Sequence, residues 1–457
     1  MSRLVRRVAL GLLGAALSLA VIGATAAAGV AVTMREGYPP SSAAVPPAPR
    51  IAPPGTLVVA VALGSTGSVV SDALLPYEVF ARSSRFFVYT VAATHQPVPL
   101  SGGLHVVPDH TFAEAAPEPD VVVVPAVVDP AEESPLRGWL TAKAERGAYV
   151  LGVCAGAKVL AVAGLLDGRR ATSFWQNLGS LRDDHPRVRW VAGQRYVQDG
   201  RVLTTAGVTS GLVGALRLVE LLAGGAEADR IGRALAYPGW SLDASTEIPV
   251  HHLALSDLPY ALNAAFPWLR PVVGVGLVDG AGELDVAAAF EAYAGTSFTA
   301  RTVPIASAPV VTTRHGLRLL ATPADDAAPQ LDRIVVPGAE RPDPALARWA
   351  TGRHLEVVLP HAARRPGEFS FDPVLRDLAV RTDRATARTT AKFTEYPADH
   401  LRLTGATWPW RATLLCAATI AVAVGVGLLP AALLAGARRV RRRRVTARRV
   451  VPSQFRL

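Results

Sequence analysis

The chain has 457 residues, half of them hydrophobic and 18% charged, which leaves room for two or three domains with cores of ordinary size. Its formal net charge of +10 resides at the two ends: eleven arginines flank two apolar runs, and without them the remainder stands at −1. No nucleic-acid module is implied, and two cysteines, one of them (Cys416) inside an apolar run, exclude a disulfide framework.

In chain order, the first element is an uncharged run of 26 residues, Val8–Thr33, preceded by Arg3, Arg6 and Arg7. As a helix rising about 1.5 Å per residue it reaches roughly 39 Å, more than the ~30 Å hydrocarbon core. Two readings stay open. The arginines and the small residues Ala24, Ala26, Ala27 and Ala28 fit a cleaved secretory signal, whereas the length favours a retained anchor. Residues 34–55 form a Pro/Ala/Ser-rich linker, an extended spacer.

From Leu57 strand and helix signals alternate. LVVAVAL (57–63), FFVYTVAA (86–93), DVVVVPA (120–126) and AYVLGV (148–153) read as strands, the β-branched run from Asp120 as a buried parallel one. RRATSF (169–174) reads as a further short strand. DALLPYEVFARS (72–83), SPLRGWLTAKAERG (134–147), AGAKVLAVAGLL (155–166) and SGLVGALRLVELLAG (210–224) read as helices. RYVQDGRVLTTAG (195–207) is a hairpin-like pair turning at Asp199-Gly200. This alternation predicts a doubly wound α/β domain with a parallel, flavodoxin-like sheet over residues 56–240.

A repeat follows. Asp72, Glu78 and Phe80 recur as Asp285, Glu291 and Tyr293 at an offset of 213, and the strand opened by Asp120 recurs at Asp332 at an offset of 212. Residues 271–397 are therefore expected to be a diverged, incomplete second copy of the first half of the domain. After RHLEVVLP (353–360) this copy has no Gly-x-Cys-x-Gly, and it is expected to act as a structural or dimer-like partner. Ala412–Ala437, a second uncharged run of 26 residues, predicts a transmembrane helix, with Trp408 and Trp410 at its interface and a basic tail at 438–457. The positive-inside rule puts both arginine clusters in the cytoplasm and residues 35–410 outside, at the cell membrane, with the lipid bilayer as a partner.

The sharpest signal is Gly152-Val153-Cys154-Ala155-Gly156 between a strand and a helix. Small residues on both sides allow a sharp turn that holds Cys154 in a strained, exposed position. A thiol there lies at a helix N-terminus, which favours thiolate, and the N–H groups of Ala155 and Gly156 can form an oxyanion hole. A small buried residue in a tight turn is the alternative.

The stretch GVCAGAKVLAVAGLLDGRRAT, with DALLPYEVF, DVVVVPA and VLTTAGVTSGLVGALRLVE in order, resembles the ThiJ/PfpI family (class I glutamine amidotransferase-like fold), and most the amidotransferase-like domain of AraC-type regulators. The resemblance covers residues 57–225 and lacks the regulators' DNA-binding part. It implies that Cys154 is the nucleophile and that Asp72, four residues before Pro76, is the acid facing it. The family's histidine falls on Phe174, beside Trp175, so the site keeps its thiol and acid but has no imidazole. Gly152, Phe174 and Trp175 are expected to line the pocket. No cofactor and no metal set are implied. The expected function is a membrane-anchored, extracytoplasmic ligand- or redox-responsive domain with weak or no catalysis. The alternatives are a cysteine hydrolase, amidase or glyoxalase-like enzyme, and a structural envelope-complex subunit. A small-molecule ligand and either homo-oligomers or intramolecular pairing of the two copies are the expected partners.

Overall fold

The computed structural model describes residues 3–114, 117–341 and 343–448. The chain divides into two units: Met1–Thr33 with Ala264–Trp268 and Trp410–Leu457, and Met34–Asn263 with Leu269–Pro409.

The smaller unit is built on two long helices, Arg3–Gly37 and Trp410–Arg448. Their stretches Val5–Gly37 and Trp410–Ala437, of mean hydropathy 2.1 and 2.3, are long and apolar enough to cross a membrane. The helices meet at glycines. A Cβ on Gly14 would lie 2.4 Å from the Gly427 carbonyl oxygen, and Ser18 Oγ donates to the Ala423 carbonyl at 2.9 Å. Small residues allow such close backbone approach, the usual way two helices associate where no hydrophobic effect drives them together. Helix structure continues to Gly37, so the expected linker is irregular only from Tyr38. Arg449 and the side chains of Arg438, Arg441, Arg442, Arg443, Arg444 and Arg448 lie outside the described residues.

The larger unit contains β1 (Leu57–Ala62), β2 (Phe86–Ala92), β3 (Val98–Leu100), β4 (Leu104–Val107), β5 (His110–Thr111), β6 (Val121–Val124), β7 (Tyr149–Gly152), β8 (Arg170–Ala171), β9 (Arg189–Trp190), β10 (Tyr196–Asp199) and β11 (Val202–Thr205). Seven of these form a sheet of order β10-β11-β7-β6-β1-β2-β5, parallel except for the β10–β11 hairpin. Along β1 the side chains alternate between faces. Val59 and Val61 join one apolar cluster with helices Val70–Ala81 and Ser210–Ala223, while Val58, Ala60 and Ala62 join another with helices Ser134–Glu145 and Gly156–Val162. Burial on both faces is why these strands read as unbroken apolar runs. The stretch expected as a strand at 169–174 pairs only at β8, with β9.

The chain then forms β12 (Val272–Gly276), β13 (Arg301–Ala306), β14 (Val310–Thr312), β15 (Arg318–Leu320), β16 (Thr322–Pro323), β17 (Arg333–Val335) and β18 (Glu356–Val358). A five-stranded parallel sheet has the order β16-β13-β12-β17-β18, the connectivity of β5-β2-β1-β6-β7. A third sheet, β14-β15-β4-β3, joins the two halves, with Val106 opposite Leu319 in the antiparallel β4–β15 pair. Helices Val70–Ala81 and Glu283–Phe290 pack against each other. The Glu78 carboxylate accepts the Leu284 N–H at 2.6 Å, and in the corresponding place the Glu291 carboxyl lies against Ser71. Helices Phe371–Arg381 and Arg384–Phe393 complete the unit.

Candidate functional site

Strand β7 runs through the centre of the first sheet and turns at once into helix Gly156–Val162. A Cβ on Gly156 would lie 2.1 Å from the Val124 carbonyl oxygen, and one on Gly152 would lie 3.0 Å from Leu160. Glycine at these positions lets the helix seat against β6. The turn between them forces Cys154 to φ 55°, a left-handed conformation rare for a residue with a Cβ and costing about 1–3 kcal/mol. Two hydroxyls hold it there: Thr205 Oγ1 accepts the Cys154 N–H at 3.2 Å, and Ser173 Oγ donates to its carbonyl at 3.0 Å.

The strain expected at the elbow is present, but the exposure is not. Cys154 is 6% exposed, enclosed by the core cluster that packs helices Val70–Ala81 and Ser210–Ala223 against the sheet. Asp72, in the first turn of helix Val70–Ala81, is fully buried and faces the thiol. Its Oδ2 accepts the Ala126 N–H at 3.1 Å, and it does not cap its helix, whose N-cap is Val69.

Burial pushes the Cys154 thiol well above its ordinary range, and the field of Asp72 adds to this. The Ala155 N–H, directed at the sulfur, opposes the rise without overcoming it. The thiolate expected from the helix terminus is therefore not the resting form, because desolvation outweighs a partial charge at a dry site. Burial likewise raises the Asp72 carboxyl well above the usual range. Of the two expected oxyanion donors, Ala155 points at the site, whereas the Gly156 N–H is taken by the Val153 carbonyl at 2.7 Å.

Phe174 and Trp175 stand beside the elbow in an aromatic cluster. The Phe393 ring lies 6.4 Å from Phe174 and 5.2 Å from Trp175, and it stacks on Tyr260 at 4.1 Å. His95 contacts Glu114, His105 the Pro39 carbonyl and His110 the Arg50 carbonyl, and His185 ends helix Leu178–Asp184, whereas the His251 ring stands 6.1 Å from that of Trp175.

Four residues beyond those expected complete the site. Ser71 and Glu291 are buried against each other, next to Asp72. Tyr38, from the linker, is half-buried and lies within the fields of Glu291, Asp72 and Cys154. Glu395, following helix Arg384–Phe393, is buried at φ 49°, and its Oε2 accepts the Gly207 N–H at 2.6 Å and the Ser210 hydroxyl at 3.3 Å. Burial lifts its carboxyl from the ordinary 4.5 to about 7. Glu291 was within reach of sequence reasoning through its match to Glu78, but nothing local marks Tyr38 or Glu395.

Against known proteins, residues 59–221 match the DJ-1/PfpI family. The chain is 37% identical over 153 residues to isonitrile hydratase of Pseudomonas putida, covering 33% of this chain and 65% of that protein, less than two thirds of its length. It is 41% identical over 123 residues to an uncharacterized protein in the cpoL 5′ region of Streptomyces lividans, covering 25% of this chain and 86% of that one. Among solved structures, a ThiJ/PfpI family protein from Pseudomonas syringae is 27% identical with a TM-score of 0.37, covering 42% of this chain and 81% of that one.

Proposed function

The chain belongs to the DJ-1/PfpI family, and on that premise we propose that it is a membrane-anchored protein whose Cys154–Asp72 site binds a small uncharged molecule and adds the thiol to it slowly. One observation carries this reading: a cysteine strained into the left-handed region faces a buried acid. Burial favours the neutral thiol and the neutral carboxyl, and a charged ligand would be costly to desolvate here. An isonitrile, the substrate class in the name of the Pseudomonas putida relative, is small and neutral with an electrophilic carbon; sulfur and its proton both add to that carbon to give a thioimidate, and water then displaces the thiol to leave the formamide. Slow turnover follows from Phe174, since losing a positioned acid–base group costs ~10²–10⁴-fold. Redox sensing is disfavoured, because sensor cysteines are accessible and ionised.

Residues 271–397 act as a built-in partner. The shared strand order, the Val106–Leu319 pairing at an offset of 213, and the reciprocal placement of Glu78 at Leu284 and Glu291 at Ser71 all support an internal two-fold relation. In this second half, His361 lies five residues past the start of β18, as Cys154 lies five past the start of β7. His361 Nε2 contacts Asp285 at 3.2 Å and Arg364 donates to Asp285 at 3.0 Å, so that elbow is filled by an ion cluster. The glycine contact between the two long helices supports retention of the first as an anchor. The flanking arginines support a large unit outside the cell.

The test is to incubate the full-length protein in detergent with a small alkyl isonitrile and follow formamide formation and the melting temperature, using wild type and Cys154→Ala. Slow, Cys154-dependent turnover or ligand-induced stabilisation is expected. Equal behaviour of the two proteins in both measurements overturns the reading.

A further inference from the structure

Outside the two long helices, twelve large hydrophobic side chains are exposed among the described residues, and six of them fall within residues 250–269: Val250, Leu253, Leu255, Leu258, Trp268 and Leu269. Leu253, Leu255 and Leu269 are 70%, 83% and 82% exposed, and Leu269 stands at φ 62°, a conformation that leucine rarely adopts. From Leu253 to Leu269 the only charged residue is Asp257, which is buried and accepts the Lys392 ammonium at 2.5 Å. Apolar exposure concentrated in this way marks a surface that meets something other than water. The end of the stretch, Ala264–Trp268, belongs to the unit of the two long helices. Thr33 Oγ1 donates to the Ala264 carbonyl at 2.9 Å, and a Cβ on Gly29 would lie 1.8 Å from the Ala265 carbonyl oxygen. Gly29 and Thr33 close the first apolar run. Because Gly14 meets Gly427 and Ser18 meets Ala423, the long helices run antiparallel, and Gly29 and Thr33 lie level with the start of the second at Trp410. Ala264–Trp268 is therefore seated where both apolar runs stop.

We propose that residues 253–269 are an interfacial anchor, lying in the boundary between headgroups and acyl chains of a phospholipid bilayer beside the end of the first long helix. This rests on the reading of the two long helices as a membrane anchor. Lipid is the occupant because the stretch ends on an apolar helix at the point where its apolar run stops, and for a spanning helix that point is the edge of the hydrocarbon core. Trp268 and Trp410, 39% and 59% exposed, put amphipathic rings at this level, where tryptophan is favoured. The stretch is too short to cross by itself and is broken by Pro259 and Pro267, so it lies in the surface rather than spans. Its one charge is turned inward to Lys392, so no exposed charge has to leave water. Arg270, the first cation after the stretch, pairs with Glu36 in the last turn of the first helix, which marks the return of the chain to water.

The experiment reconstitutes the full-length protein in phosphatidylcholine–phosphatidylglycerol vesicles with one nitroxide label at a time. The labels go on Leu255→Cys, Leu269→Cys, Val380→Cys and Val422→Cys, each made with Cys154→Ala and Cys416→Ala. Power-saturation EPR compares access of oxygen, which concentrates in lipid, with access of a water-soluble nickel chelate. The label at Val422, exposed on the second long helix, is expected deep in lipid, and that at Val380, exposed on helix Phe371–Arg381, in water. Labels at Leu255 and Leu269 are expected about 5–10 Å below the phosphates. If these two are open to the nickel chelate while the Val422 label lies in lipid, the interfacial anchor is overturned and the membrane anchor stands. If the Val422 label is open to the chelate as well, the parent reading fails too. Shielding of the Leu255 and Leu269 labels from both reagents means that protein covers the stretch, and it also overturns the proposal. Should the cysteine-free background not fold, tryptophan quenching by brominated lipid decides with native cysteines: Trp268→Phe should lose part of the quenching, and an unchanged quenched fraction counts against the proposal.

Discussion

Replacing Glu395 by glutamine should remove a pH dependence from the stability of the large unit. The carboxyl is held near 7 by burial, against an ordinary 4.5 in the unfolded chain. The folded state thus binds the proton more tightly. Its contribution is fully present below pH 4.5 and is lost as pH rises through about 7. That interval of about 2.5 pH units, at about 1.36 kcal/mol each, amounts to roughly 3 kcal/mol. Glutamine keeps an oxygen for the Gly207 N–H and has no proton to lose, so the variant should lack this loss. At pH 5 the two proteins should melt together. At pH 8.5 the variant should be the more stable by roughly 3 kcal/mol, or about 4 °C for a unit of this size. Thermal unfolding of full-length protein in detergent across this range is the assay, and taking the difference between the two proteins cancels the other buried acids. Melting curves that stay parallel from pH 5 to 8.5 would refute a buried, near-neutral Glu395.

Gly156→Ala places a methyl 2.1 Å from a backbone oxygen that cannot yield, and it should destabilise the protein by roughly 3 kcal/mol; a melting temperature within a degree of wild type would contradict the close helix–strand contact. Cys154 should remain unmodified under peroxide at pH 7, because its thiol is buried and protonated; sulfinate on its peptide would count against that protonation state. Phe174→His supplies the missing imidazole and should raise alkylation of Cys154 by iodoacetamide at neutral pH by about 10-fold or more, read by mass spectrometry of the Cys154 peptide. Ser18→Cys with Ala423→Cys should cross-link under mild oxidation, and adding Gly427→Leu should abolish the cross-link if the glycines set the helix approach.

Apolar periodicity and small-residue spacing are local properties, and they made the parallel sheet, the elbow, the facing acid at Asp72 and the two long apolar helices readable in the sequence. The match of Asp72, Glu78 and Phe80 to Asp285, Glu291 and Tyr293 also pointed to the second sheet, whose strand order follows the first. The protonation state of Cys154 was not readable. A helix terminus near the sulfur is visible in the sequence, but the desolvation that outweighs it arises from residues scattered along the chain. Nor could the sequence locate Tyr38 and Glu395, since each comes near the elbow only because the linker and the segment after helix Arg384–Phe393 fold back towards it. A turn is written in a few adjacent residues, whereas the dielectric around a thiol depends on every chain segment that closes over it, and that is settled only when the whole unit packs.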